Sequence, residues 1–299
     1  MHTATAPSLR IRLATRAKIW RAQRSLSVVG NSLGLKTNSR YFFHHLLCKL
    51  RSKNLRNNPQ AEILAQALKK NGAVKLSQKL DVADLAKKVK TYFDLHPPEN
   101  GNALMDKESA STFSNEVHKL LHGEIQDILQ AHYGSHFQIY WITLMHYGRV
   151  PNETAASSFG WHIDDNPREL LKVFIYLNDT YESNAAFRAF DYETTKDLLA
   201  QGFISNTAEL RVASQHFITT DLIKNKLKVF EGAQGTTLIF DNNLIHKGTA
   251  PREGYRNVVC VEVYPGDRPP SLKDVENGLK TPIKTDYPLD PFFNDITRG

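Results

Sequence analysis

The chain has 299 residues, with 38 lysines and arginines against 31 acidic residues, and hence a formal net charge of +7. The charge is uneven: residues 1–61 contain twelve basic residues and no acidic one, whereas the other 238 residues carry 26 basic and 31 acidic residues. A basic extension thus precedes a mildly acidic body, which argues against a nucleic-acid partner for that body. The hydrophobic content of 41% is ordinary for a globular protein, and no apolar run reaches the roughly 18 residues that cross a bilayer.

The two cysteines of the chain, Cys48 and Cys260, are too few for a disulfide framework. We expect them to be free thiols in a reducing compartment. The start of the chain lacks the continuous apolar stretch of a secretory signal. Together these features predict a cytoplasmic protein.

Residues 1–60 are predicted to form a basic helical extension, whose weak amphipathic pattern is interrupted at Gly30 and Gly34. Four interpretations of this segment remain open. Residues 1–57 lie on an anionic membrane surface, act as an organelle transit peptide, contact an acidic partner, or pack as a solvated helix on their own domain. The first would place the protein at the periphery of a membrane, and the second in an organelle matrix.

Residues 61–299 are predicted to be one domain that begins with helices and continues with strands. Helices are expected at 61–70, 82–93 (with Asp81 as N-cap) and 112–132, and a short strand at 72–76. Further strands are expected at 137–147, 170–177, 185–190, 228–230, 236–240 and 257–264. Many short strands without alternating helices favour a sandwich or barrel over a doubly wound sheet. Residues 191–226, with one helix at 193–203, read as an insertion that forms a lid or contacts substrate, and the proline-containing tail as irregular.

The chemistry-bearing residues lie in two segments of the strand-rich region. In Trp161-His162-Ile163-Asp164, the residues at i and i+2 point to one face of a strand, so His162 and Asp164 can reach the same metal ion. This pair alone is weak evidence in a chain with 12 histidines. The segment 235–256 strengthens it, because a strand ends, the chain turns, and His246 follows. Two histidines and one carboxylate form the facial triad of non-haem Fe(II) oxygenases, which leaves coordination positions open.

The combination resembles the Fe(II)/2-oxoglutarate-dependent oxygenases, and most closely their phytanoyl-CoA dioxygenase-like branch. The resemblance spans roughly residues 62–265 and rests on segments 68–74 and 161–164, the strand KVFIYLND at 172–179, and the segment from His246 to Arg256. It implies a mainly β fold with flanking helices. The core of that fold would be a double-stranded β-helix, a cupin-like jelly-roll barrel, to which the N-terminal helical extension is added.

The resemblance also implies residue roles. His162, Asp164 and His246 would be the Fe(II) ligands and the catalytic centre. Arg256 would bind the distal carboxylate of 2-oxoglutarate, a task suited to a bidentate guanidinium. Arg252 is the alternative arginine, although it follows His246 more closely than is usual in the family.

Two further cosubstrate contacts are implied, a hydroxyl contact from Tyr147 and packing by Phe174, and core packing is an equal or better interpretation of both. The reaction implied is hydroxylation of an unactivated C–H bond of a small-molecule or lipid-linked substrate, with O2 consumed and succinate and CO2 released. Asp164 favours hydroxylation over halogenation, because halogenases of this superfamily lack the carboxylate.

Two other functions remain as alternatives: a cupin-like divalent-metal isomerase or epimerase, and a non-catalytic relative that binds a partner through the basic extension. Outside the triad, His44, His45, His118 and His122 are expected at the surface, and His146 at the edge of the core. The substrate pocket is expected to be lined by residues 191–226 and the loops at the barrel mouth.

Overall fold

The computed structural model describes residues 39–53, 55, 58–99, 101–150, 158–164, 170–205 and 207–281. Most of the basic extension, residues 1–38, and the tail beyond residue 281 therefore lie outside the described residues. Within the described part, no helix combines the length and hydropathy needed to cross a membrane.

The helices are α1 Ser39–Arg51, α2 Pro59–Asn71, α3 Ala83–Leu95, α4 Lys107–Ser111, α5 Ser114–Leu120, α6 Glu124–Tyr133, α7 Tyr192–Gln201, α8 Ala208–Ser214, α9 Thr220–Lys226 and α10 Leu272–Lys280. The strands are β1 Ala73–Lys75, β2 Asn102–Leu104, β3 His136–Tyr147, β4 Leu171–Tyr176, β5 Phe187–Ala189, β6 Lys228–Phe230, β7 Thr237–Asp241, β8 His246–Lys247 and β9 Arg256–Gly266. Two 3₁₀ turns occupy Glu182–Asn184 and Gln215–Phe217.

The predicted helices near the start of the body are confirmed, with their ends set by local chemistry. The side chain of Asn58 accepts hydrogen bonds from the amides of Gln60 and Ala61 at the start of α2, and Gly72 ends that helix in the left-handed region. Val82 occupies the N-cap position of α3 without a side-chain cap. Asp81, the expected N-cap, lies one residue before that position. Its carboxylate nevertheless accepts a hydrogen bond from the Ala83 amide at 3.3 Å.

The single helix expected at 112–132 is wrong, because the chain divides this range into α5 and α6. Gly123 precedes α6 with a φ of 71°, a left-handed conformation that glycine adopts without steric cost. The apolar positions that suggested one long helix are still buried, among them Val117, Leu121, Ile125 and Ile128. Because these residues are buried on both sides of the break, their apolar spacing continues across it although the helix does not.

Six strands form a large antiparallel sheet in the order β1-β7-β4-β9-β3-β2. Its central strands alternate between two faces, as a period of two residues requires. Val259, Val261 and Val263 of β9 belong to one hydrophobic cluster with the surrounding helices. Val258 and Cys260 of the same strand belong to a second cluster on the opposite face. Helices thus cover one face of the large sheet, and the other face is available for a second sheet.

The second sheet is small and antiparallel, in the order β6-β5-β8. It packs on the open face of the large sheet, where Phe187 of β5 stacks on Phe240 of β7 with ring centroids 4.1 Å apart and contacts Phe174 of β4 at 5.6 Å. From β3 to β9 the chain passes repeatedly between the two sheets, a connectivity typical of jelly rolls. The expected closed barrel is not seen among the described strands, since no ladder joins the small sheet to the edges of the large one.

The predicted insertion at 191–226 contains more helix than expected. Besides α7, it holds α8 and α9, each seven residues long. Each of these short helices starts at a threonine, Thr207 or Thr219, whose side chain accepts a hydrogen bond from an amide in the first turn. Such helices are too short to show a convincing apolar period in the sequence.

The tail was expected to be irregular, but residues 272–280 form α10. Ser271 and Asp274 build a capping box at its start. Val275 and Leu279 are buried in the cluster on the helix-covered face of the large sheet. The prolines that suggested irregular structure at Pro269 and Pro270 simply precede the cap.

Helix α1 shows how the C-terminal end of the basic extension sits on the body. Its inner face buries Cys48 and His45, the latter bonded to the Tyr133 carbonyl. His44 Nε2 contacts the Pro265 carbonyl at 3.1 Å. The surface position expected for His45 is therefore wrong, because its ring fills the contact between α1 and α6. Helix α1 therefore packs on its own domain, which agrees with the last of the four interpretations of the basic extension.

Candidate metal centre

Three side chains with metal-ligand chemistry converge at one edge of the space between the sheets. The ligand atoms of His162, Asp164 and His246 all lie within 4.8 Å of one another, and these residues are the one such group among the described residues. The Asp164 carboxylate is 3.5 Å from His162 Nε2 through Oδ1 and 3.4 Å from His246 Nε2 through Oδ2. The structure thus brings together the three residues that the sequence selected, from segments more than 80 residues apart.

Both imidazoles are held with the same ring nitrogen free for a metal. Nδ1 of His162 bonds to the Gly160 carbonyl at 2.8 Å, and Nδ1 of His246 to the Leu244 carbonyl at 2.9 Å. Because a carbonyl only accepts, each Nδ1 carries the proton and each Nε2 presents a lone pair toward Asp164. Burial, and then the neighbouring His246, lowers the pKa of His162, which favours the neutral ring that metal binding needs.

The two histidines are joined through their backbones. The amide of each donates to the carbonyl of the other at 2.9 Å, forming an isolated antiparallel bridge that extends the small sheet. The insertion holds the other edge of this segment. Gln215 accepts from the Trp161 amide at 3.0 Å and donates to its carbonyl at 3.1 Å, while Ser205 accepts from the Ile163 amide at 2.9 Å. His162 is therefore fixed from both sides of its strand segment.

Lys172, which no sequence motif marks as a site residue, contacts the triad directly. Its Nζ donates to Asp164 Oδ2 at 2.7 Å and lies 3.2 Å from Glu262 Oε1. Burial alone would raise the pKa of Asp164, but the charge of Lys172 and contacts with the histidines hold that pKa well below its usual range. Burial alone would lower the pKa of Lys172, but the two carboxylates hold it well above its usual range. Asp164 and Lys172 are thus both charged at neutral pH.

A cavity of about 250 Å³ opens beside the triad. The inner face of the large sheet supplies much of its wall, including Trp141, Thr143, Met145, Phe174 and Cys260, and the small sheet supplies Phe187. Burial raises the pKa of Cys260 to about 12, so this thiol stays protonated and does not compete as a thiolate ligand. Phe174 lies in the wall and packs on Phe187 and Phe240, in agreement with the core-packing interpretation of this residue.

Arg256 lines the same cavity and is 2% exposed. One of its terminal nitrogens donates to the Ala185 carbonyl, and its Cζ lies 4.1 Å from the centre of the Tyr147 ring. Its Nε is buried without a hydrogen-bond partner. Within the described ranges, no acidic side chain forms an ion pair with this guanidinium. A buried cation that lines a cavity and has an unused donor is suited to an anionic ligand, because such a ligand supplies the missing charge and acceptor.

Some of the residues predicted to lie around this cavity line it, and others do not. Tyr147 lines it, but its ring packs on the arginine and its hydroxyl contacts Met145 Sδ at 3.4 Å. Arg252, the alternative arginine, points away from it, since its side chain is 74% exposed and lies 4.0 Å from Glu182. The expectation that residues 191–226 line the pocket is wrong, because none of the described lining residues comes from that segment. The insertion instead supports the backbone of the His162 segment, as the contacts from Ser205 and Gln215 show.

Among the described residues, no other histidine belongs to this group of metal-ligating side chains. His118 and His122 have ring centroids 4.6 Å apart on α5 and the turn that follows, and each bonds to a nearby polar group. His146, expected at the edge of the core, bonds to the Asn257 side chain at 2.7 Å and packs against Phe93.

No protein-family model and no curated protein sequence matches the chain. Among solved structures, the chain is similar to the non-haem alpha-ketoglutarate-dependent carbocyclase SnoK from nogalamycin biosynthesis, at 11% identity over 71% of this chain and 88% of that one, with a TM-score of 0.47. It is also similar to EctD from S. alaskensis with 2-oxoglutarate and 5-hydroxyectoine, at 14% identity over 73% of this chain and 80% of that one, with a TM-score of 0.48. A third similar structure is HygX from Streptomyces hygroscopicus with nickel and 2-oxoglutarate bound, at 12% identity over 70% of this chain and 88% of that one, with a TM-score of 0.45. Similarity at this level assigns neither family nor activity.

Replacing Gln215 tests whether the insertion positions the metal ligand. In Gln215→Ala, the amide and carbonyl of Trp161 lose their partner, so we expect the apparent Kd for Mn(II) to rise about tenfold, within the range seen when groups that orient metal ligands are removed. Titration of the free Mn(II) electron paramagnetic resonance signal measures this. Gln201→Ala, at the exposed end of α7, is the matched control. Equal Mn(II) affinity in the two variants would contradict the positioning role.

Proposed function

We propose that this protein is an Fe(II)- and 2-oxoglutarate-dependent oxygenase that hydroxylates an unactivated C–H bond. The observation that carries the proposal is the presence, in one cavity, of a His-Asp-His group and a buried arginine without an acidic partner. The first is the ligand set of facial-triad iron sites, and the second suits the distal carboxylate of a dicarboxylic cosubstrate. The phytanoyl-CoA dioxygenase-like branch and a jelly-roll core remain part of this proposal, on the sequence motifs and the strand connectivity.

The residues of the chain would divide the work as follows. His162, Asp164 and His246 would hold Fe(II) through two Nε2 atoms and one carboxylate. Arg256 would bind and orient 2-oxoglutarate, and the packing of Tyr147 on its guanidinium would keep that group aimed into the cavity. When bound, iron and 2-oxoglutarate supply the oxidising chemistry: O2 and the cosubstrate give one hydroxyl group on the substrate, succinate and CO2.

The cavity wall would place the substrate and limit the access of water. Leu104, Trp141, Met145 and Phe174 give it an apolar side, whereas Ser158 and Thr143 offer hydroxyl groups. A mixed lining of this kind suits a small molecule, or the end of a lipid-linked one, that presents an aliphatic carbon near the metal ligands. The protein thereby contributes positioning, which converts a reactive cofactor into a selective catalyst.

Anaerobic addition of Fe(II) and 2-oxoglutarate tests the proposal. We expect a visible metal-to-ligand charge-transfer band from the chelated cosubstrate, and succinate formation when O2 is admitted. His162→Ala should lose the band, because the metal loses one of three protein ligands. Metal binding without a band would support a cupin-like isomerase or epimerase, and no metal binding would support a non-catalytic protein. Either result would overturn the oxygenase assignment.

Arg256 can be tested separately from the metal ligands. We expect Arg256→Gln to keep Fe(II) binding and to raise the Kd for 2-oxoglutarate at least about 30-fold, since losing one partner of a buried charge pair costs about 2 kcal/mol or more. Titration of the charge-transfer band gives this Kd. Arg252→Gln is the matched control, and we expect it to bind the cosubstrate as the unaltered protein does. An equal effect of both substitutions would remove Arg256 from the cosubstrate site.

We also propose that the basic extension holds the protein on an anionic membrane surface. Helix α1 leaves Leu46, Leu47 and Leu50 at 39%, 47% and 71% exposure, next to the basic residues Lys49 and Arg51 near its end. Exposed leucines beside cationic side chains are suited to the boundary between anionic headgroups and acyl chains. The twelve basic and no acidic residues of segment 1–61 add the attraction that such a surface needs.

Vesicle sedimentation tests this surface without removing α1, whose inner face is part of the packed body. We expect the protein to sediment with vesicles containing phosphatidylserine, and less so in high salt or in the variant Leu47→Ser/Leu50→Ser. Ile63→Ser, at an exposed position of α2, is the control for loss of a surface apolar residue. Equal sedimentation with neutral vesicles, or no effect of the leucine substitutions, would contradict the membrane role.

A further inference from the structure

A buried ion cluster joins Asp164 of the triad to two charged residues outside it, Lys172 and Glu262. Lys172 on β4 and Glu262 on β9 are directly opposite in the register of the large sheet, on the face that lines the cavity. Lys172 Nζ lies between two carboxylates, 2.7 Å from Asp164 Oδ2 and 3.2 Å from Glu262 Oε1. Glu262 is 5% exposed, so its carboxylate depends on protein groups for stabilisation.

We infer that Lys172 keeps the centre a three-ligand site by holding Glu262 away from the metal and occupying one oxygen of Asp164. This inference rests on the proposed function, because it presupposes a metal ion at the triad. Glu262 faces the same cavity as the three ligands, and a carboxylate there is a competent ligand for a divalent cation. The ammonium group separates the two carboxylates and neutralises one of their charges. Lys172 is therefore a positioning residue, which acts through Asp164 and Glu262.

The number of open positions is what this arrangement protects. A three-ligand site leaves room for a bidentate cosubstrate and for O2, whereas a fourth protein ligand would block part of that room. The charge of Lys172 favours cosubstrate binding as well. With Lys172 present, one cation offsets one of two buried carboxylates; without it, the site gains a full negative charge that attracts a divalent cation and repels dianionic 2-oxoglutarate.

Substituting Lys172 by methionine, which keeps the length and removes the charge, separates metal binding from cosubstrate binding. For Lys172→Met, we expect the Kd for Mn(II) to fall about tenfold or more, because a second carboxylate becomes available to the metal. We expect the Kd for 2-oxoglutarate, read from the charge-transfer band with Fe(II), to rise about tenfold or more. A variant that was merely destabilised would instead bind both more weakly.

The double variant Lys172→Met/Glu262→Gln tests whether Glu262 is the group that competes for the metal. It removes both charges of the pair, so both Kd values should return toward those of the unaltered protein. The visible spectrum of bound Co(II) gives a readout independent of turnover: it should match between the double variant and the unaltered protein, and differ in Lys172→Met. If Lys172→Met folds only together with Glu262→Gln, that rescue supports the pairing, and the double variant must then bind 2-oxoglutarate normally.

Three results would overturn the inference. Unchanged binding of Mn(II) and 2-oxoglutarate in Lys172→Met would show that the lysine does not guard the site. Loss of cosubstrate binding that Glu262→Gln fails to rescue would show that Glu262 is not the competing group. A Co(II) spectrum insensitive to Lys172→Met would show that the ligand set does not change. Absence of metal binding by the unaltered protein, in contrast, would overturn the proposed function itself.

Discussion

The centre depends on the two backbone hydrogen bonds that join His162 to His246. Each is 2.9 Å long, and together they add the His162 segment to the edge of the small sheet beside β8. Because side chains on paired strands project side by side, this bridge brings two residues distant in sequence to a ring separation of 4.4 Å. Asp164 follows two residues later on the same segment and completes the group. Without the bridge, no strand pairing would join the segment that carries His162 and Asp164 to the strand that carries His246.

Buried charge is the second constraint on this cavity. Besides Lys247, whose Nζ lies over the Trp161 ring, the lining includes the cations Lys172 and Arg256 and the carboxylates Asp164 and Glu262. The two carboxylates are not shared evenly between Lys172 and Arg256. The lysine sits between both carboxylates, whereas the arginine has an aromatic ring and a backbone carbonyl as neighbours. Burying a charge without a counter-ion is costly. The uneven distribution therefore suits an anionic ligand at the arginine and a cation at the triad, as the proposed function requires.

Local sequence patterns predicted the strands and the convergence of His162, Asp164 and His246 well, since both depend on short-range periodicity. The H-x-D spacing needed only a strand, and the position of His246 needed only a turn after β7. Lys172 was missed because a single polar residue in a strand resembles an edge or surface position. Its role depends on the register that sets it opposite Glu262. The break at Gly123 was missed for a related reason, as burial kept an apolar pattern that continued across the turn.

The position of the insertion was predictable, but its role was not. Its position between predicted strands suggested a lid or a substrate-contact segment, yet its described residues contact the backbone of Trp161 and Ile163 rather than the cavity. Such a contact is made by single polar side chains, Gln215 and Ser205, which have no sequence signature of their own. Which backbone groups need a partner depends on where the His162 segment leaves its neighbours unpaired, and only the assembled fold determines that.

The central claim is that one cavity holds a metal ion at the triad and a dicarboxylate at Arg256. A crystal structure of the protein grown anaerobically with Mn(II) and 2-oxoglutarate tests it most directly, because anomalous scattering locates the metal. The account predicts a single Mn(II) bound by His162 Nε2, Asp164 and His246 Nε2, with Lys172 still between Asp164 and Glu262, and one carboxylate of the cosubstrate on the Arg256 guanidinium. A metal ligated by Glu262, or a cosubstrate that leaves Arg256 without an anion, would contradict it.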